Sequence, residues 1–260
     1  MEQVQGQVGQ CKLCQQQAVL RCSHVVSEFC YKPIYHGKHK LVEARVSVRG
    51  FRRKISQKGY KEPMLCECCE QKLNAWETPF RNFWYANVIS SGAITEKYPV
   101  VGGFDYKWMK LFHLSVIWRL HSADGFGRID LGPYAERIRN MLLNEKAGSV
   151  GSLPVLGCLL LNDDNSIMDK LITEPGVAHC DGSHFYAVSY AGCEWLFLMT
   201  ETPTRKQQEL IDAFGIQEDG SIRLMTSHYK RSRSMSPSTT PEPCRALPKS
   251  ASIRCCDGIR

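Results

Sequence analysis

The chain has 260 residues, of which 43% are hydrophobic and 23% charged, a balance that allows one or two globular domains. Its longest apolar stretches, Val155–Leu161 and Trp195–Met199, fall well short of the roughly 20 residues needed to cross a bilayer. The first ten residues are polar and Gln-rich and lack the charged start and apolar centre of a secretory signal. A soluble, cytoplasmic protein with no membrane association is therefore expected.

The formal net charge is +7 and is distributed unevenly. Between residues 45 and 61 the chain carries Arg45, Arg49, Arg52, Arg53, Lys54, Lys58 and Lys61 and no acid. Such a run suits a polyanion, because each cation that meets a phosphate releases a condensed counterion. It also fits a solvated, mobile face.

Thirteen cysteines are many for this length, and an odd number cannot pair completely within one chain. In a reducing compartment, paired cysteines more often bind metal than each other. Cys11-Lys-Leu-Cys14 and Cys66-Glu-Cys-Cys69 are two C-x-x-C knuckles. Each turns tightly enough for two thiolates to meet one ion, and two knuckles supply the tetrahedral sulfur set of structural zinc. Cys68 lies inside the second knuckle, but Cys66 with Cys69 has the usual spacing. The 51 residues between Cys14 and Cys66 exceed the gap of a compact zinc ribbon and must hold an insertion, for which Glu43–Phe51 reads as a hairpin. Cys22, Cys30, Cys158, Cys180 and Cys193 lie among apolar residues and read as small core side chains.

Three segments follow from these patterns. Residues 8–80 form the zinc-binding module, residues 81–228 an α+β region, and residues 229–260 a Ser/Pro/Arg-rich tail expected to be disordered. Trp108, Leu111, Phe112, Ser115, Trp118 and Arg119 recur at helical spacing, which predicts a helix over Tyr106–His121 capped by Asp105. A second helix is expected over Pro133–Leu143, with Ile138, Met141 and Leu142 facing the core. Leu153–Asn162 fits a buried strand. His184–Ser189 and Cys193–Thr200 read as a hairpin turning at Tyr190-Ala191-Gly192. Thr204–Phe214 reads as a last helix. His36 and His39 lie in a Gly/Lys-rich loop, and His179, Cys180, Asp181 and His184 cluster near a turn. Solvated loop and turn residues are the commoner reading of both groups.

The order of motifs carries a resemblance. Cys11-x-x-Cys14 precedes Ser23-His24-Val-Val, then the basic insertion, then Leu65-Cys66-x-x-Cys69-Glu70 and Trp76-Glu77. Phe112-x-x-Ser115-x-x-Trp118-Arg119 comes last. Over residues 9–121 this resembles the bacterial HNH endonuclease-like proteins with a cysteine-bearing treble clef. The resemblance implies a zinc-stapled ββα module. It also implies a metal-dependent nuclease that hydrolyses phosphodiester bonds in DNA, or RNA, in bacterial defence or a mobile element. His24 carries over as general base, and magnesium or manganese would neutralise the phosphate. The family's middle Asn has no match, and Glu70 stands where its final His is expected. A carboxylate suits magnesium, so Glu70 and, two turns on, Glu77 are candidate ligands. Glu70 could equally serve the helix dipole as an N-terminal acid. The other readings are a non-catalytic zinc module that binds nucleic acid or a protein, and a regulatory subunit in which residues 125–228 sense a ligand or partner; a protein partner could also meet residues 81–228.

Overall fold

The computed structural model of the chain describes residues 7–35, 40–47, 50–57, 59–125, 129–180, 183–228 and 253–255. Side chains within 40–57, 178–184 and 253–255 lie outside that description. The fold is mixed α+β, with five helices and several sheets among the described residues.

Strands β1 (Val8–Gln10) and β2 (Gln17–His24) are antiparallel neighbours on either side of the first C-x-x-C turn. After a short helix α1 (Glu28–Tyr31), the insertion forms the hairpin β3 (Lys40–Ser47) and β4 (Gly50–Gln57), longer than the 43–51 expected. Strand β5 (Lys61–Cys66) then returns beside β2, with Leu20 opposite Cys66 and His24 opposite Lys61. A bulge between Arg21 and Cys22 breaks the in-out alternation. As a result Ser23 is buried and Cys22 exposed, which corrects the expectation that Cys22 is a core residue.

Helix α2 (Glu67–Asn87) begins where β5 ends. Its Cys69, Leu73, Trp76, Phe80 and Trp84, three or four residues apart, form one buried stripe. The stripe packs on α3 (Tyr106–Ser122), which follows the short strand β6 (Val100–Gly102), and Phe80 stacks on Phe112 with ring centroids 4.0 Å apart. Helix α3 starts as expected, with the Asp105 carboxylate accepting from the Trp108 amide at 3.0 Å. It is buried on every side from Met109 to Leu120, not along one face, because it lies between α2, α4 (Tyr134–Leu143) and a five-stranded sheet.

That sheet is built from β7 (Val155–Leu161), β9 (Gly176–Cys180), β10 (Ser183–Tyr190), β11 (Cys193–Leu198) and β13 (Met225–His228) in the order β13-β7-β11-β10-β9. The β10–β11 hairpin turns at Ala191 and Gly192, both at positive φ (51° and 75°), the conformation a tight two-residue turn requires. Gly157 in β7 lies under Trp195, where a Cβ would meet the indole at 3.2 Å and Leu224 at 2.5 Å. Helix α5 (Arg205–Phe214) opens on the Thr204–Gln207 capping box and covers the outer face of β7. Strand β12 (Ser221–Arg223) pairs with β6. Strand β8 (Leu171–Thr173) pairs with β14 (Ile253–Cys255); the rest of the expected disordered tail lies outside the described residues.

One apolar core runs from Cys11 to Leu224, so the cysteine-rich segment and the sheet share an interior. Polar ties cross the same boundary. Arg139 donates to the Leu13 carbonyl at 2.8 Å. Lys12 Nζ donates to the Ser122 carbonyl at 2.6 Å.

His113 sits at the centre of this core, fully buried, with Nδ1 2.6 Å from the Tyr190 hydroxyl and its ring centroid 3.8 Å from that of Trp195. Burial holds its pKa well below the ordinary value, so the folded protein keeps the ring neutral. The unfolded chain takes up a proton below about pH 6.5, so stability is complete above that pH and falls as pH drops. Between pH 6 and 5 the wild type should lose up to about 1.4 kcal/mol more stability than His113→Gln, read from urea melts. Parallel losses would show that His113 is not the group responsible.

Candidate metal centre and active site

The first knuckle is shaped by its own backbone. The Gln15 amide donates to the Cys11 carbonyl at 2.8 Å, and Gln15 takes a positive φ of 62° that reverses the chain. The Lys12 amide donates to the Met64 carbonyl at 2.9 Å, which lays this knuckle against β5. The second knuckle is the end of β5 and the first turn of α2, with Cys66 at the N-cap. Together they bring the ligand atoms of Cys11, Cys14, Cys66 and Cys69 within 4.8 Å of one another.

These four thiols could hold a metal ion such as zinc. A regular tetrahedron of Zn–S bonds near 2.3 Å has sulfur–sulfur edges of about 3.8 Å, and Cys14 Sγ lies 3.7 Å from Cys66 Sγ. Burial alone raises the Cys11 thiol, but backbone amides around it more than offset this and bring its pKa down to about 7. One of them, the Cys66 amide, donates to Cys11 Sγ at 3.3 Å. Burial pushes the Cys69 thiol up, and the neighbouring thiols add to it. A bound cation would reverse that, because it binds the thiolate form. Cys68 is exposed and stands apart from the four.

On the polar side of α2 lies an open cavity of about 280 Å³. Helix α2 lines it with Glu67, Glu70, Gln71, Asn74 and Glu77, which fall along one side of the helix, flanking its buried stripe. His24 enters from the end of β2, Glu28 from the rim, and Arg119 from α3. The structure thus brings His24, Glu70 and Glu77 to one site.

The environment of each group is distinct. The His24 ring makes no hydrogen bond to a described residue, and burial lowers its pKa, so it is neutral near pH 7. Burial raises the Glu70 pKa, against the opposing pull of Arg119 and a hydrogen bond from Ser23. Glu77 is ion-paired with Arg119 Nη1 at 2.8 Å, and Glu67 with Arg21.

Sequence reading did not single out Glu67, Gln71 and Asn74. The signal was present: positions 67, 70, 71, 74 and 77 form a polar strip flanking the apolar positions 69, 73, 76, 80 and 84. Of the basic residues, Arg45, Arg52, Arg53 and Lys54 lie in the β3–β4 hairpin, with Arg45 in register with Arg52. Their side chains, and Arg49 and Lys58 altogether, lie outside the described residues, as do His36, His39 and Asp181. His179 and His184 are register partners in β9 and β10, again without described side chains.

Compared with known proteins, the chain matches no family model, no curated protein and no solved structure. Among the described residues, no helix is long and apolar enough to cross a membrane.

Substitution separates the two cysteines of the second knuckle that compete on spacing. Cys66→Ser should lose the bound zinc and the folding energy coupled to it, whereas Cys68→Ser should retain one zinc per chain and an unchanged melting temperature. Metal analysis with thermal melts reads both. Zinc loss in Cys68→Ser would reassign the ligand set.

Proposed function

We propose that the chain is a metal-dependent nuclease of the HNH type, hydrolysing phosphodiester bonds of nucleic acid, with DNA ahead of RNA. The observation that carries this reading is the convergence of His24 and Glu70 on one open cavity. They come from different elements, and Glu70 adjoins the zinc ligand Cys69. The order hairpin then helix, with the cysteines at the knuckle and the helix start, supports a treble-clef module.

His24 is the general base. Its imidazole is neutral at working pH and free to accept the proton of an attacking water. Glu70 would hold a magnesium or manganese ion, for which an oxygen ligand is the natural donor. Such a cation, when bound, neutralises phosphate charge and stabilises the leaving oxygen. The cavity itself is acidic and would repel a bare phosphate. The attraction for the nucleic acid falls instead to the basic residues of the β3–β4 segment, Arg45, Arg49, Arg52, Arg53, Lys54 and Lys58. The zinc plays no part in the chemistry and holds the helix that presents Glu70.

Wild-type protein, His24→Ala and Glu70→Gln, each shown to retain zinc, are incubated with plasmid DNA and with RNA in Mg²⁺ or Mn²⁺. Cleavage by the wild type should fall by at least about a hundredfold in both variants. Equal silence of all three proteins would favour a non-catalytic zinc module that binds nucleic acid or a protein.

A further inference from the structure

Arg119 lies in α3, 95 positions after His24, and its side chain is only 2% exposed. A guanidinium has five N–H donors, and Arg119 makes five contacts. Nε donates to the Ser115 carbonyl at 3.3 Å. Nη1 donates to the His24 carbonyl at 2.9 Å and is ion-paired with Glu77 at 2.8 Å. Nη2 donates to the Ser27 hydroxyl at 3.1 Å and to Ser115 Oγ at 3.4 Å. These contacts tie the guanidinium to protein groups and offset its charge with Glu77, which sets it poorly to grip a phosphate although the residue borders the cavity.

The same accounting sorts the acids. Glu77 is balanced by the Arg119 charge, and Glu67 by Arg21. Glu28 is exposed on the rim. Glu70 is half-buried and has no ion-pair partner among the described residues.

We propose that Arg119 is a positioning residue, forming with Glu77 a neutral strut that fixes the main chain at His24 and leaves Glu70 as the carboxylate that takes a single divalent cation. This rests on the reading of the cavity as a cation-dependent site. It removes Glu77 from the cation's ligands and gives the segment beyond residue 80 a direct part in the site.

The test is a charge cycle on the zinc-loaded full chain, with Mn²⁺ binding followed by electron paramagnetic resonance and plasmid cleavage followed separately. Glu77→Gln leaves the buried guanidinium unbalanced and should weaken Mn²⁺ binding about tenfold. The double variant Arg119→Met/Glu77→Gln removes both charges together and should return the affinity to within about threefold of wild type. It should still cleave at least about tenfold more slowly at saturating DNA, with KM unchanged, because the anchor on the His24 carbonyl is gone while no substrate contact is. The double variant buries no unpaired charge, so it answers the question even if Glu77→Gln misfolds.

A double variant that binds Mn²⁺ as weakly as Glu77→Gln would make Glu77 a ligand and overturn the proposal. Where the wild type cleaves, a double variant that cleaves as fast would overturn the positioning role. Mn²⁺ affinities that follow the cycle in a protein that cleaves nothing would uphold the strut and reject the nuclease. Failure of the wild type to bind Mn²⁺ would overturn both.

Discussion

Four sulfurs from two places 51 residues apart must meet within a few ångströms, and the rest of the N-terminal architecture follows from that. The knuckle at Cys11–Cys14 sets where β2 begins, and the knuckle at Cys66–Cys69 sets where β5 ends and α2 begins. Joining them lays β2 against β5 and delivers His24 to the side of α2 that carries Glu70. A segment this short has little interior of its own, so a metal bound at the sulfurs would supply folding energy directly. The long insertion is tolerated because it leaves as one hairpin and returns in register beside the same strand.

The second segment completes what the sulfurs begin. Helix α2 presents one stripe to α3 and the sheet, and a flanking polar strip to the cavity. Its apolar stripe anchors it through Phe80 on Phe112 and through the Trp84 indole on the β10–β11 turn. Arg119 then reaches from α3 across to the end of β2, the only buried arginine among the described residues. Buried charge is costly unless fully partnered, and its five contacts meet that demand. The cavity is therefore bounded by elements from both sides of residue 80.

Much of this was legible in the sequence, and the rest was hidden for physical reasons. Helix α3 announced itself through periodicity and its Asp105 cap, α4 through Gly132-Pro133 and its apolar positions, α5 as a bare range, and the β10–β11 hairpin through its Ala-Gly turn. The ligand choice of Cys66 over Cys68 followed from knuckle spacing. The burial of α3 was legible on one side only: Ser115 and Arg119 fell on the predicted core stripe, whereas Lys110 and His113 look solvated until each finds an internal partner. Cys22 was misread because a bulge carries no signature in residue type. The short strands β6, β8, β12 and β13 have three or four residues, too few to show a period, and exist only through their pairing. The cavity face of α2 was readable in part: Glu70 and Glu77 stood out beside the motif, while Asn74 and Gln71 needed the helix to be drawn first.

The most direct measurement is X-ray absorption at the zinc edge of the purified protein. One zinc per chain with four sulfur neighbours at about 2.3 Å, and no nitrogen or oxygen in the first shell, is the result this architecture predicts. A first shell that contains imidazole nitrogen in place of a sulfur would draw His24 or another histidine into the staple. That would contradict the separation of a closed structural centre from the cavity beside it.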